Sequence, residues 1–206
     1  MEKFTTLTAI AAPITEKNVN TDIIIPIRRL VGTERGTMGP YAFEPWRYGA
    51  DGQPNPDFVL NQARYEGAKI LIAGPNFACG SSREGAVWAL QEFGIRALMA
   101  PSFGGIFFNN CFQSGLLPIV LDAAVIDAFM DQARTAGAGP TFTIDLETQE
   151  ITPPDGRPVA FQAEPFRRQA LLEGLDDLGM TLRRISEIDT FQEADRRQRP
   201  WIYSGL

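Results

Sequence analysis

The chain has 206 residues, 44% hydrophobic and 21% charged, enough to bury a core of its own and too apolar for a disordered segment. Its 25 acidic residues outnumber 19 basic ones for a formal charge of -6, which argues against nucleic acid or an acidic membrane surface as the main partner. There is no histidine, so Ser-His-Asp and Cys-His nucleophile systems, His-ligated zinc or haem and a histidine general base are excluded.

Two cysteines, Cys79 and Cys111, are too few for a four-cysteine zinc site or for an iron–sulfur cluster held by this chain alone. The opening MEKFTTLTAI lacks the apolar core of a signal peptide, and no stretch reaches the ~18 apolar residues of a membrane span. The expected setting is cytoplasmic, with reduced thiols.

Phe4 to Ile14 reads as an opening strand, and Asn18-Val19-Asn20-Thr21-Asp22 as a polar turn before the apolar run Ile23-Ile24-Ile25-Pro26. Residues 32–57 are dense in Gly, Pro and aromatics (Tyr41, Phe43, Trp46, Tyr48) without a period, which predicts an ordered excursion. From Ala68 strands and helices alternate. Ile70 to Ala73 is a strand, Arg83 to Phe93 a helix, Ile95 to Ala100 a strand, and Phe103 to Phe112 a short helix. Leu116 to Leu121 is a further strand, and Asp122 is expected to cap an amphipathic helix carrying Val125, Ile126, Phe129 and Met130. Such alternation predicts a buried, parallel portion of sheet. After Gly137-Ala138-Gly139-Pro140, Thr141 to Ile151 reads as one strand, with Val159 to Ala163 as its partner across a turn at 153–158. Phe166 to Leu178, ending at Gly179, and Ile185 to Arg197 read as helices. The expectation is one domain over 1–206 with a helical tail at 183–206.

The segment that carries chemistry is Asn76-Phe77-Ala78-Cys79-Gly80-Ser81-Ser82-Arg83-Glu84. It follows an apolar strand and opens a helix, where free backbone N–H groups and the helix dipole favour an anion. Gly80 permits close backbone approach, two hydroxyls follow, and Arg83 has the fork that fits a carboxylate. Gly74 and Gly80 are separated by five residues with no following Lys, so this is not a phosphate-binding P-loop, and Glu84 two past Ser82 breaks the nucleophile-elbow pattern. On physics alone, plain N-capping by Ser81 or Ser82 accounts for the same residues.

This segment resembles the NFGCGSSRE signature of the 3-isopropylmalate dehydratase small subunits, swivelling domains of the aconitase superfamily. Asn18-Val19-Asn20-Thr21-Asp22 with Ile24-Ile25-Pro26 is similar to the NVDTDxIIP block of that family. Asn55-Pro56-Asp57-Phe58, Ala100-Pro101-Ser102-Phe103, Asn109-Asn110-Cys111-Phe112, Gly115-Leu116-Leu117-Pro118 and Phe166-Arg167-Arg168 match later blocks in order. The resemblance implies an α/β, three-layer β/β/α swivelling domain, active in a heterodimer whose larger subunit carries a [4Fe–4S] cluster while this chain binds no cofactor or metal. It implies interconversion of 2- and 3-isopropylmalate through isopropylmaleate. Ser81 would be the base, Ser82 a hydrogen-bonding partner within the site, and Arg83 the clamp on a substrate carboxylate. Gly80 and Asp22 would join them in binding substrate.

The stretch Arg29-Leu30-Val31-Gly32-Thr33 resembles the loop that faces the variable substituent of the substrate, where homoaconitase-like relatives place an Arg in the position of Val31. Leu30 and Val31 would bury a branched alkyl group, whereas Arg29, turned inward, would serve an acidic one. Five positions depart from the family: Asn20 for Asp, Gly85 for His, Val87 for Pro, and Gln169-Ala170 for His-Cys. They leave open a paralogue acting on citramalate, dimethylmalate or another alkylmalate, or a ligand-binding relative without catalysis. Cys79 and Cys111 are expected as small buried fillers, Trp88 as core or interface, Asn109 and Asn110 as partners of loop backbone, and the Arg167-Arg168 helix as packing for the domain.

Overall fold

A computed structural model of the chain describes residues 1–80, 84–137 and 139–203. The strands are β1 (Thr6–Ile14), β2 (Ile70–Ala73), β3 (Ala97–Ala100), β4 (Leu117–Val120), β5 (Thr141–Asp145), β6 (Glu150–Thr152) and β7 (Val159–Ala160). The helices are α1 (Thr21–Ile24), α2 (Ile27–Leu30), α3 (Glu44–Arg47), α4 (Glu84–Phe93), α5 (Gly105–Ser114), α6 (Ala123–Thr135), α7 (Pro165–Glu173), α8 (Asp177–Leu182) and α9 (Ile185–Gln198). The strands make one sheet in the order β4-β3-β2-β1-β5-β6-β7.

β1 belongs to both halves of that sheet. Its first five residues, Thr6 to Ile10, pair antiparallel with β5, and Ala11 to Ile14 pair parallel with β2. β2, β3 and β4 continue the parallel half, and β5, β6 and β7 the antiparallel half. In the parallel half, alternate side chains face opposite layers. Leu71, Ala73, Leu98 and Ala100 pack with Val87 and Leu90 of α4 and Phe107 and Cys111 of α5. Ile70, Ile72, Ala97, Met99, Leu117 and Ile119 pack on the other side with Ile126, Phe129 and Met130 of α6. Burial on both faces explains why β2 and β3 read as unbroken apolar runs, and each such Leu or Ile contributes roughly 1.5–3 kcal/mol.

Several boundaries differ from the sequence expectation. The polar turn and the apolar run after it share a helical turn: Asn20 accepts the Ile23 amide on its side chain and starts α1. Thr141 to Ile151 is a hairpin, because Asp145 accepts the Thr148 amide and Gln149 takes φ 58°, which turns the chain between β5 and β6. The partner strand β7 is only two residues long. The helix expected to end at Gly179 ends at Gly174, whose φ of 73° suits glycine, and Asp176 then caps α8, placing Gly179 inside it. Asp122 holds the N-cap position of α6 without a side-chain hydrogen bond to it. Asn109 lies within α5, not in a loop, and accepts Arg167 Nη2 at 2.8 Å. Arg167 also covers Phe108 and Phe112, while Arg168 donates to the carbonyls of Leu146 and Glu147. Both arginines of α7 therefore pack the domain, as expected.

The antiparallel half is tied to α6 by Phe142, fully buried with its ring 5.3 Å from Phe129 in an edge-on contact. Phe142→Ala should cost roughly 3–5 kcal/mol, read as a lowered urea midpoint with an unchanged slope.

Candidate active site

The chemistry-bearing segment leaves β2 and runs as a strap across the ends of the parallel strands. Two short parallel bridges hold it, Asn20 with Cys79 and Phe77 with Phe103. On the first side, the Cys79 amide donates to the Val19 carbonyl at 3.2 Å and the Thr21 amide to the Cys79 carbonyl at 3.0 Å. On the second, the Phe77 amide donates to the Ser102 carbonyl at 3.0 Å and the Gly104 amide to the Phe77 carbonyl at 2.8 Å. Ser102 Oγ accepts the Asn76 amide at 2.8 Å, and Asn76 Nδ2 donates to Asn18 Oδ1 at 2.8 Å. Asn18, Asn76 and Ala78 have φ of 55°, 58° and 55°. For Ala78 that left-handed backbone costs roughly 1–2 kcal/mol, which the surrounding bonds offset. Gly80 follows with φ 92°, a conformation glycine adopts freely.

Ser81, Ser82 and Arg83 lie outside the described residues. Of the other residues assigned to substrate, Gly80 stands at the end of the strap, 3.6 Å from Asn20 Cβ when a Cβ is built on it. Asp22 lies exposed in the first turn of α1. Leu30 and Val31 part company. Leu30 turns inward against the core beside α4, and Val31, the residue after α2, is 80% exposed.

Arg29 does not stand free. Its Nε and Nη2 both donate to the Glu44 carboxylate at 2.6–3.2 Å, its guanidinium lies 4.1 Å from the Tyr41 ring centre, and Arg28 reaches the same carboxylate at 3.2 Å. The Arg29 hydrogen bond holds the Glu44 carboxyl below the usual carboxylate range. Glu92 plays a similar part for the following turn, accepting the amides of Gly36 and Met38. The sequence had no periodic signal for these two carboxylates, because Glu44 acts on arginine side chains of another helix and Glu92 on irregular backbone far away in the chain.

The departures from the family pattern have local explanations. Asn20 caps α1, a role Asn and Asp fill equally well. Val87 is fully buried in the core. Gln169 is exposed on α7 and pairs with Glu173, and Ala170 is buried. Trp88 packs half-buried against the core with the Arg35 guanidinium 4.6 Å from its ring centre.

Cys111 is the expected buried filler, and burial pushes its thiol well up. Cys79 is only half-buried, and its Sγ meets the Asn18 carbonyl at 3.4 Å. Among the described residues no group of three or more His, Cys, Asp or Glu is placed to hold a metal ion, and this pair of thiols does not fit an iron–sulfur cluster.

Residues 1–124 match the aconitase C-terminal domain family, to which the chain belongs. Within it the chain sits among the 3-isopropylmalate dehydratase small subunits. It is 56% identical over 201 residues to the small subunit of Gluconacetobacter diazotrophicus, spanning 98% of this chain and 97% of that one. It is 52% identical over 201 residues to that of Rhodospirillum centenum, spanning 98% of each. The crystal structure of 3-isopropylmalate dehydratase from Methanocaldococcus jannaschii superposes with a TM-score of 0.66 at 24% identity, over 90% of this chain and 99% of that one. The fold is therefore the β/β/α swivelling-domain fold.

Two outcomes test the site's construction. A Cβ on Gly104 would lie 2.3 Å from the Ala78 carbonyl oxygen, a backbone atom. Gly104→Ala should therefore shift the strap and lower stability by roughly 1–3 kcal/mol, measured by urea titration. Because the Glu44 carboxyl is lowered in the fold, its contribution is present above the ordinary value of 4.5 and fades as pH falls through its folded value. Glu44→Gln should lower the urea midpoint at about pH 7, and the difference from the parent chain should shrink as pH falls below the ordinary carboxylate range.

Proposed function

We propose that this chain is the smaller subunit of a 3-isopropylmalate dehydratase, a cytoplasmic hydro-lyase of leucine biosynthesis. The whole chain would act as one swivelling domain. What carries this reading is identity of 50–56% to small subunits over 98% of the chain, with Gly80-Ser81-Ser82-Arg83-Glu84 intact. The substrate is a small alkylmalate. A larger partner subunit holds the [4Fe–4S] cluster, and neither nucleic acid nor membrane takes part. No helix among the described residues is long and apolar enough to cross a membrane.

On this reading Ser81, as alkoxide, takes the proton from the carbon beside a carboxylate while the hydroxyl leaves the neighbouring carbon as hydroxide, giving isopropylmaleate; passage of the proton from Ser81 to the hydroxide then makes water and restores the alkoxide. Hydration in the opposite sense returns the proton and the hydroxyl with their carbons exchanged. Serine is a poor base, so its alkoxide relies on the backbone N–H groups opening α4 and on Arg83. Ser82 hydrogen-bonds within the site, and Arg83 clamps a carboxylate through its fork.

An isopropyl group is favoured over an acidic substituent because Glu44 already occupies Arg29. A carboxylate placed beside Leu30 would lose its hydration while Arg28 and Arg29 are both engaged by Glu44.

The test is reconstitution with a cluster-bearing large subunit, followed by formation of isopropylmaleate. The chain alone should be inactive and the mixture active. In the mixture, Ser81→Ala should lower kcat by roughly 10²–10⁴-fold or more. Activity of the isolated chain, or a Ser81→Ala enzyme keeping more than roughly a tenth of the rate, would overturn the assignment.

A further inference from the structure

Asn18 commits three of its polar groups to the strap. Its amide donates to the Pro75 carbonyl at 3.0 Å, its Oδ1 accepts Asn76 Nδ2 at 2.8 Å, and its carbonyl accepts the Cys79 thiol at 3.4 Å. Asn76 in turn is bonded to both flanking segments at once, through Nδ2 to Asn18 and through its amide to Ser102 Oγ at 2.8 Å. The two asparagines hold left-handed backbone, at φ 55° and 58°. Asparagine enters that region more readily than other residues with a side chain, so residue type and backbone agree at both positions. Both side chains are exposed, and an exposed amide pair adds little to stability. Its place in the chain is what matters: it closes the strap where it leaves β2, ahead of Gly80 and Ser81.

We propose that Asn18 and Asn76 are positioning residues, acting as one clamp that fixes the path of the strap and with it the peptide joining Gly80 to Ser81. The proposal rests on the role of Ser81 in the reaction given above. Backbone bonds anchor the strap at Phe77 on one side and at Cys79 on the other. Two anchorages, each centred on one residue, leave rotation about the line that joins them. The Asn18–Asn76 pair supplies a third anchorage ahead of both and removes that freedom. A displacement of about 1 Å at reacting groups costs on the order of 10²-fold in rate, so a clamp of small thermodynamic weight carries a large kinetic one.

Glycine adopts the same backbone freely, so Asn18→Gly and Asn76→Gly delete the clamp without straining either turn. In the reconstituted two-subunit enzyme each variant should lower kcat for isopropylmalate by roughly 10–10²-fold with KM little changed. The double variant should lose no more than either single one, because all three lack the same bond. Each glycine also loosens the unfolded chain, so the urea midpoint should fall additively. A purely structural pair gives that fall with kcat kept, or two kcat losses that multiply, and either result would overturn the proposal. The isolated chain supplies a readout that needs no substrate. Cys79 is half-buried on the strap with its thiol on Asn18, whereas Cys111 is fully buried. Labelling of Cys79 by a soluble aromatic disulfide should quicken by roughly 3–10-fold in each variant and no further in the double one; unchanged labelling defeats the clamp. A parent enzyme that is inactive, or indifferent to Ser81→Ala, defeats the role of Ser81 and this inference with it. An enzyme that needs Ser81 yet keeps its rate in both glycine variants defeats the clamp alone.

Discussion

The site depends on a strap of backbone, Pro75 to Gly80, that belongs to no regular element yet is bonded on both edges. Its amides and carbonyls find partners in Val19 and Thr21 on one side and in Ser102 and Gly104 on the other. A chain leaving a buried parallel strand would otherwise carry unpaired polar groups into an apolar environment, at roughly 1–3 kcal/mol each. The two bridges remove that penalty and position the peptide that precedes Ser81. They also explain why three separated blocks of sequence, at 18–22, 76–84 and 100–103, go together: each supplies one rail or the strap between them.

What the sequence makes legible is the part governed by periodicity. β2, β3, β4 and α4 to α6 follow from apolar runs alternating with helical stripes, because burial on both faces of a parallel strand leaves no other pattern. The seven-stranded order is less visible, since β1 divides its pairing between β5 and β2 at Ile10 and Ala11 with no change in composition. The misplaced breaks, at Asp145 to Gln149 and at Gly174, are set by single residues in left-handed backbone or by one side-chain cap. Such local choices compete evenly with continuing the strand or helix.

The candidate site was legible as a motif and illegible as a mechanical object. Gly80 and its following hydroxyls stand out by residue type, whereas Ser102, Glu44 and Glu92 look ordinary in sequence and matter through bonds to distant backbone and side chains. The Leu30–Val31 pair shows the limit most clearly. Adjacent residues of similar apolarity suggest a shared wall, but at the end of a single helical turn they point in different directions. Leu30 goes to α4, and Val31 goes to solvent.

The position after Glu84 shows why one residue change is best weighed with its neighbour in space. Read alone, Gly85 looks like a lost functional group. In the fold it is the surface that Leu30 covers, so a bulkier residue at 85 and the present seat of Leu30 exclude one another. Two positions 55 residues apart in this numbering are thus one steric unit. The charged side of the same short helix obeys a parallel rule: Arg29 gives the Nε–Nη2 edge of its guanidinium to Glu44. α2 therefore turns an apolar side chain toward α4 and keeps its cation engaged elsewhere, and both features follow from partners that lie outside the helix itself.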